Sequence, residues 1–301
     1  NPCNSLEPLD SCIIANMITS YFKKVISHIR SRHHCPTNPV KIFWWQPSDC
    51  TSQNFGDKLG PEIVKRIFHQ DYLYSDIETC DLVTIGSILD IINDIEHILN
   101  IDREILVWGS GLIQPFDEST DFVKNLHYFA VRGCLTRDAL HLPANLPLGD
   151  PGLLSSLAYP HITKNRDKRY CVIPHHAEMD LPIIQRLKTD RRFKIISPLN
   201  EPEFVINEIQ NSSGVFSSSL HGLIVADSFG IPNARLKLSN RITGGDFKFL
   251  DYCSGVSISK IIFSPDQLLD SDSTILLLKK YEPIQNLKTI QNRLIDSFPI
   301  R

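Results

Sequence analysis

The chain is 301 residues long and contains no run of about eighteen apolar residues, which excludes a hydrophobic spanning helix within it. The most apolar stretch, Leu82–Ile92, is interrupted by Gly86, Ser87 and Asp90. There is no CxxC pair, and no Cys/His cluster has zinc spacing, so no metal site is expected. The adjacent pairs His33-His34 and His175-His176 lack the further ligands that zinc requires. Basic excess is also missing. Lys plus Arg number 31 against 34 Asp plus Glu, and the pI is near 6.4, which argues against a general nucleic-acid binder. The eight cysteines are scattered, a pattern of buried free thiols and a reducing compartment.

What is present is an ordinary globular composition, 42% hydrophobic and 22% charged, in a chain long enough for one large or two medium domains. Short apolar runs alternate with helical patterns. Val40–Gln46, Asp81–Ile85, Ile105–Trp108 and His127–Arg132 read as strands of one half. Tyr170–Ile173, Phe193–Ile196, Val215–Phe216 and Ala234–Leu238 read as strands of a second. Strands separated by helices predict parallel sheets. The reading is therefore α/β, with an N-terminal helical extension over 1–38, one Rossmann-like domain over 39–160 and another over 168–301 that ends in closing helices. The polar stretch Tyr159–Lys168 is the expected linker.

The extension carries Ile13, Met17, Ile18, Phe22, Val25, Ile26 and Ile29 at helical spacing and a basic end from Lys23 to Arg32. Three readings stand open for it: a packing helix whose basic end matches its dipole, a dimer element, or a peripheral membrane contact through residues 11–34.

Candidate chemistry sits at strand ends. The stretch Val215–Pro232 predicts a strand, a tight turn and a helix too apolar to be a surface element, closed by Gly230 and Pro232. Ser217, Ser218 and Ser219 are placed to cap that helix, and His221 lies at its N-terminus, where α/β proteins hold anions. Asn54-Phe55-Gly56-Asp57 precedes a helix expected from Leu59 to Phe68. Asp57 is either its cap or a functional carboxylate, and Gly56 allows close backbone approach. Gly109-Ser110-Gly111 follows a strand and offers Gly109 and Gly111 as approach points. With no third glycine, it is not a dinucleotide fingerprint. Arg132 ends a strand and Arg137 lies in the next helix. Together they are read either as a fork for a carboxylate or phosphate or, for Arg137, as a surface pair with Asp138. Leu148-Gly149-Asp150-Pro151 reads as a turn, His175 as a possible phosphate contact, and Lys248 as a secondary candidate near Asp251 and Tyr252.

Five of these stretches, NFGD, GSG, RGxLTR, LGDP and SSLHG…FGIP, occur in an order that resembles the polysaccharide pyruvyl transferase family, with weaker likeness at the K-x-x-D-Y region from Lys248 to Tyr252. The resemblance covers about Gln53 to Pro232 and leaves residues 1–38 outside. It implies two Rossmann-like domains in a GT-B-like arrangement with the active site in the interdomain cleft. It also implies transfer of pyruvate from phosphoenolpyruvate, the donor substrate, to two hydroxyls of one saccharide acceptor as a cyclic ketal, with release of phosphate. No cofactor is called for. The acceptor would belong to a surface or exopolysaccharide or its lipid-linked repeat, in the cytoplasm or at the inner face of the membrane.

On this resemblance His221 supplies the acid or steadies the leaving phosphate, and Asp57 is the base or binds acceptor hydroxyls. Arg132, Arg137 and Lys248 clamp the donor, with Asn54, Gly56, Gly109, Gly111, His175, Ser218 and Ser219 lining the site. The chain departs from some members in carrying Ser219 where they have Arg two residues before the histidine, which shifts the clamp onto the other cations. Two alternatives stay open: a nucleotide-sugar-dependent glycosyltransferase of the same fold, disfavoured by the lack of a Glu-x₇-Glu pattern, and a non-catalytic glycan-binding relative.

Overall fold

The computed structural model describes residues 38–46, 53–99, 103–115, 125–160 and 169–300. The expected helical extension, including the proposed contact through residues 11–34, and most of the expected linker lie outside these. Pro39–Arg301 forms one compact unit.

The unit holds two five-stranded sheets, both wholly parallel. The first contains β1 (Val40–Phe43), β2 (Tyr72–Tyr74), β3 (Leu82–Val83), β4 (Ile105–Trp108) and β5 (Leu126–Ala130), in the order β2-β1-β3-β4-β5. The second contains β6 (Tyr170–Ile173), β7 (Phe193–Ile195), β8 (Val215–Ser217), β9 (Asn233–Leu236) and β10 (Ile262–Phe263), in the order β10-β9-β8-β6-β7. Ile42 pairs with Leu82 and Leu82 with Leu106; in the second sheet Val172 pairs with Phe216 and Phe216 with Ala234. The central strands are short and apolar because helices cover both faces of a parallel sheet.

The helices of the first half are α1 (Phe55–Phe68), α2 (Leu89–Leu99), α3 (Cys134–Ala139) and α4 (Ser155–Ala158). Those of the second are α5 (Pro182–Thr189), α6 (Pro202–Asn211), α7 (Leu220–Ser228), α8 (Phe247–Val256), α9 (Pro265–Leu269), α10 (Ser273–Lys280) and α11 (Leu287–Asp296). Every residue of α7 is buried, as its all-round apolar sequence predicts. Ile224 and Val225 of α7 share one hydrophobic cluster with Ile42, Phe55 and Trp108 of the first half, so a single core ties the two sheets together.

The alternation of strands and helices agrees with the sequence reading, but boundaries move for local reasons. Helix α1 starts at Phe55 rather than Leu59, because the Asn54 carboxamide accepts from the Gly56 N–H and caps it. Pro61, expected in a first turn, therefore sits inside the helix. The edge strands β2 and β10 carry no alternation to reveal them, since Leu73, Tyr74 and Ile262 stay exposed. No described helix is long and apolar enough to cross a membrane. Of the described cysteines, Cys80 and Cys171 are buried and Cys134 and Cys253 half-buried, and none is in a disulfide.

Candidate active site

A cavity of about 460 Å³ opens where the carboxyl ends of strands from both sheets meet, the edge at which parallel sheets hold ligands. The first half contributes Trp45 after β1, Asn54 and Asp57 at the start of α1, Ser87 and Asp90 after β3, and Gln114 after β4. The second contributes His175 and His176 after β6, Ser219 and His221 around the start of α7, and Arg241 and Lys248 before and within α8.

His221 is the second residue of α7 and is 9% exposed. Its Nε2 lies 3.7 Å from Asp150 Oδ2. Both atoms are buried and neither has a hydrogen-bond partner. Two orphaned polar atoms facing each other in a core are a costly arrangement unless they act as a pair, and a small rotation of the imidazole would close the bond. Asp150 is anchored by its other oxygen, which accepts from the Gly152 N–H at 2.8 Å. The loop that presents Asp150 packs against Gly109, whose φ of +89° and missing Cβ admit Pro151; a side chain at 109 would overlap that ring.

The other edge of the imidazole faces Gly56 in the first turn of α1. A Cβ at position 56 would overlap His221 Nδ1, Cγ and Cβ. Gly56 thus sets how closely α1 approaches His221. Gly56→Ala is expected to push the imidazole off Asp150 and lower turnover about a hundredfold, as small misplacements of reacting groups do. A steady-state assay checks this, and unchanged turnover would show that the ring can shift freely.

Asp57, in the same first turn, is enclosed by protein on most sides. Burial raises its pKa from 3.8 to about 6, against the lowering influence of His221 and Lys248. Burial also lowers Lys248 to about 8, helped by the nearby charge of Arg132 and opposed by Asp57. His175 falls to about 3, through burial first and then the charge of Lys248, so it is a neutral ring at physiological pH. Asp57 and Lys248 both titrate within reach of neutrality and influence each other, an arrangement typical of sites that move protons.

The structure brings Asn54, Asp57, His175, Ser219, His221 and Lys248 together at the cavity. Ser219 occupies the N-cap position of α7 without a side-chain capping bond. The other serines serve the loops: Ser217 Oγ accepts from the Ser219 N–H, and Ser218 Oγ accepts from the His175 N–H. Ser218 thereby holds the histidine loop and does not itself line the cavity. Gly109 and Gly111 likewise face protein groups rather than the cavity, Gly111 lying against the Arg132 guanidinium.

The expected arginine fork is not assembled here. Arg132 is fully buried behind the cavity wall. Its guanidinium donates to Asp251 Oδ2 at 2.9 Å, Ser87 Oγ at 2.5 Å and the Leu112 carbonyl at 2.5 Å. Arg137 pairs with its neighbour Asp138 at 2.7 Å in a half-open surface position. The cations that do line the cavity are Lys248 and Arg241. Arg241, which donates to Asp180 and to the Ala177 carbonyl, lies in the Ser239–Thr243 loop, which has no motif to single it out. Asp150 could have been found from the LGDP turn only by knowing that it meets His221.

The family model described as polysaccharide pyruvyl transferase matches residues 54–240, which take in the cavity residues from Asn54 to His221 and leave Trp45, Arg241 and Lys248 outside. An uncharacterised protein of Acanthamoeba polyphaga mimivirus, L143, is 27% identical over 253 residues, covering 74% of this chain and 84% of that protein. Among solved structures, a functionally uncharacterised protein of Klebsiella pneumoniae overlaps with a TM-score of 0.44 at 12% identity, covering 77% of this chain and 93% of that one. The UDP-GlcNAc 2-epimerase of Methanocaldococcus jannaschii, solved with UDP-GlcNAc and UDP, overlaps at 0.41 and 16%, covering 72% and 75%. Overlaps this loose bear on neither ligand nor mechanism.

Proposed function

The chain belongs to the polysaccharide pyruvyl transferase family, and from that premise we propose that it moves pyruvate from phosphoenolpyruvate onto two hydroxyls of a saccharide of a surface polysaccharide or its lipid-linked repeat. The observation that carries the reading is the meeting, in one cavity, of Asp57, of His221 backed by Asp150, and of Lys248. The cavity serves as the cleft of a GT-B-like arrangement.

The reaction asks for three things. A proton must reach the methylene carbon of the enol phosphate, turning it into a methyl group and leaving an oxocarbenium-like centre at the adjacent carbon. A base must take the proton of the attacking hydroxyl. Cations must hold the donor carboxylate and the departing phosphate.

Burial keeps a fraction of Asp57 protonated near neutral pH, which fits it to the first task, the reverse of the role read from sequence. His221 takes the hydroxyl proton. Asp150 steadies the imidazolium that forms, as a buried carboxylate does for a histidine base. One hydroxyl attacks the cationic carbon, the bond from that carbon to the phosphate oxygen breaks, and the second hydroxyl closes the ketal. Of the two hydroxyl protons, one makes good the proton given to the methylene carbon and the other leaves on phosphate. Lys248, Arg241 and the free N–H groups at the start of α7 hold the donor's negative charge in place of the arginine that Ser219 replaces.

The test is ligand-dependent melting. A ligand that binds only the folded chain at a hundred times its Kd stabilises it by about 2.7 kcal/mol. Phosphoenolpyruvate is expected to raise Tm by several degrees, and Lys248→Ala to remove most of that rise. A rise with UDP-, GDP- or CMP-sugars and none with phosphoenolpyruvate would replace this reading with glycosyl transfer.

A further inference from the structure

One wall of the cavity is not used by the chemistry above. Trp45, two residues beyond β1, lines it half-buried, and its ring stacks on that of His176 in the loop after β6, with centroids 5.8 Å apart and planes 23° apart. His176 in turn lies against His175, with centroids 4.2 Å apart. Both imidazoles are pushed below their ordinary pKa, by burial first and then by Lys248, so the stack carries no charge at neutral pH. The Nδ1 of His176 is buried without a hydrogen-bond partner, which leaves this ring held by stacking rather than by a polar bond at that nitrogen.

Sheet order places this wall apart from the polar one. β3 lies between β1 and β4, so Trp45 is on one flank of the cavity, while Gln114 after β4 is on the other. Asp90 and Asp94 of α2 line the cavity as well, with Asp94 exposed. An indole face carries the negative end of the ring quadrupole. It repels the carboxylate and phosphate of an anionic donor and attracts the polarised C–H groups on the flat face of a pyranose. Carboxylates and a carboxamide across the cavity suit sugar hydroxyls and, again, disfavour an anion.

We infer that Trp45, braced by His176, is the stacking platform of the acceptor subsite, holding an uncharged pyranose whose hydroxyls reach toward Asp94 and Gln114. The inference rests on the transfer reading above, and it assigns to acceptor binding a residue that lies outside every motif singled out in the sequence.

Saturation-transfer NMR on the full chain, with the methyl α- and β-glycosides of galactose, glucose and mannose as probes, tests it. At least one glycoside is expected to receive saturation at its ring C–H protons. Trp45→Ala and Trp45→Leu should both weaken that transfer tenfold or more, while Trp45→Phe keeps most of it. Leucine preserves apolar packing against the core, so loss in that variant reports the missing aromatic face rather than a collapsed fold. The phosphoenolpyruvate-dependent rise in Tm should be the same in wild type and in all three variants.

Transfer that survives in Trp45→Leu would overturn the platform. So would loss of the phosphoenolpyruvate response in a folded Trp45→Leu chain, which would put Trp45 in the donor site, or failure of every glycoside to bind the wild type. A wild type that ignores phosphoenolpyruvate yet binds glycosides through Trp45 would sink the transfer reading alone, so the two failures are distinguishable.

Discussion

Replacing Asp57 with Asn is expected to lower turnover about a thousandfold and, at pH 7.5, to make the protein more stable. The first effect follows from removing the proposed proton donor, since a positioned acid or base contributes roughly 10²–10⁴ in rate. The second follows from the raised pKa. Between its ordinary value of 3.8 and about 6, the folded chain holds the Asp57 proton that the unfolded chain has already lost. The carboxyl therefore imposes no penalty below pH 3.8. Its cost to folding grows as pH rises through that window and is complete above about 6. At roughly 1.4 kcal/mol per pKa unit this amounts to about 2–3 kcal/mol, a net figure that already includes the attraction of His221 and Lys248.

Asn is neutral throughout, so Tm should rise by about 5 °C at pH 7.5 and hardly change at pH 4. The wild-type rate should fall as pH climbs through about 6, when the acid form is lost. Donor binding should weaken above about 8, when Lys248 loses its proton. Melting curves at the two pH values and phosphate release from phosphoenolpyruvate with a saccharide acceptor check these outcomes. An Asp57→Asn chain that is less stable at pH 7.5 and equally active would remove Asp57 from the mechanism and show that its carboxylate does not burden the fold.

The second large effect concerns Arg132, and it is a loss of fold rather than of donor binding. Arg132→Ala would leave Asp251, fully buried, without its cation, although Thr136 would still donate to it from its N–H at 2.8 Å and its hydroxyl at 2.7 Å. Breaking a buried pair from one side costs about 3–5 kcal/mol, which for a chain of this size lowers Tm by about 10 °C. It would also free Ser87 and the Leu112 carbonyl, which shape the cavity wall. Arg132→Lys retains the charge but cannot reach three partners with one ammonium, so a smaller drop is expected. Because the guanidinium is spent on protein groups, the phosphoenolpyruvate-dependent rise in Tm should persist in Arg132→Lys. Its disappearance from a folded Arg132→Lys chain would mean that the arginine turns out of its pocket to meet the donor.

The contrast between these two residues shows where the sequence stops being readable. Asp57 and Arg132 both stand in motifs, both lie at strand-to-helix junctions, and both looked like groups that face a ligand. Strand ends of a parallel sheet collect at one edge, so any residue there is near the site. Which way its side chain turns is settled by partners from far along the chain. For Arg132 that partner is Asp251, 119 residues on. For His221 it is Asp150, a residue that alone reads as a turn former.

By itself the sequence determined the alternation of strands and helices and the buried helix that carries His221. These depend on local apolar runs, caps and turns. Only the tertiary structure decided that Lys248 and Arg241 are the cations facing the cavity, that Gly56 and Gly109 make room for His221 and the Asp150 loop, and that Trp45 meets His176. Each of those pairings joins segments distant in sequence across the packed sheets, and burial by one segment tunes the charge of another. No periodicity within either segment encodes such a contact.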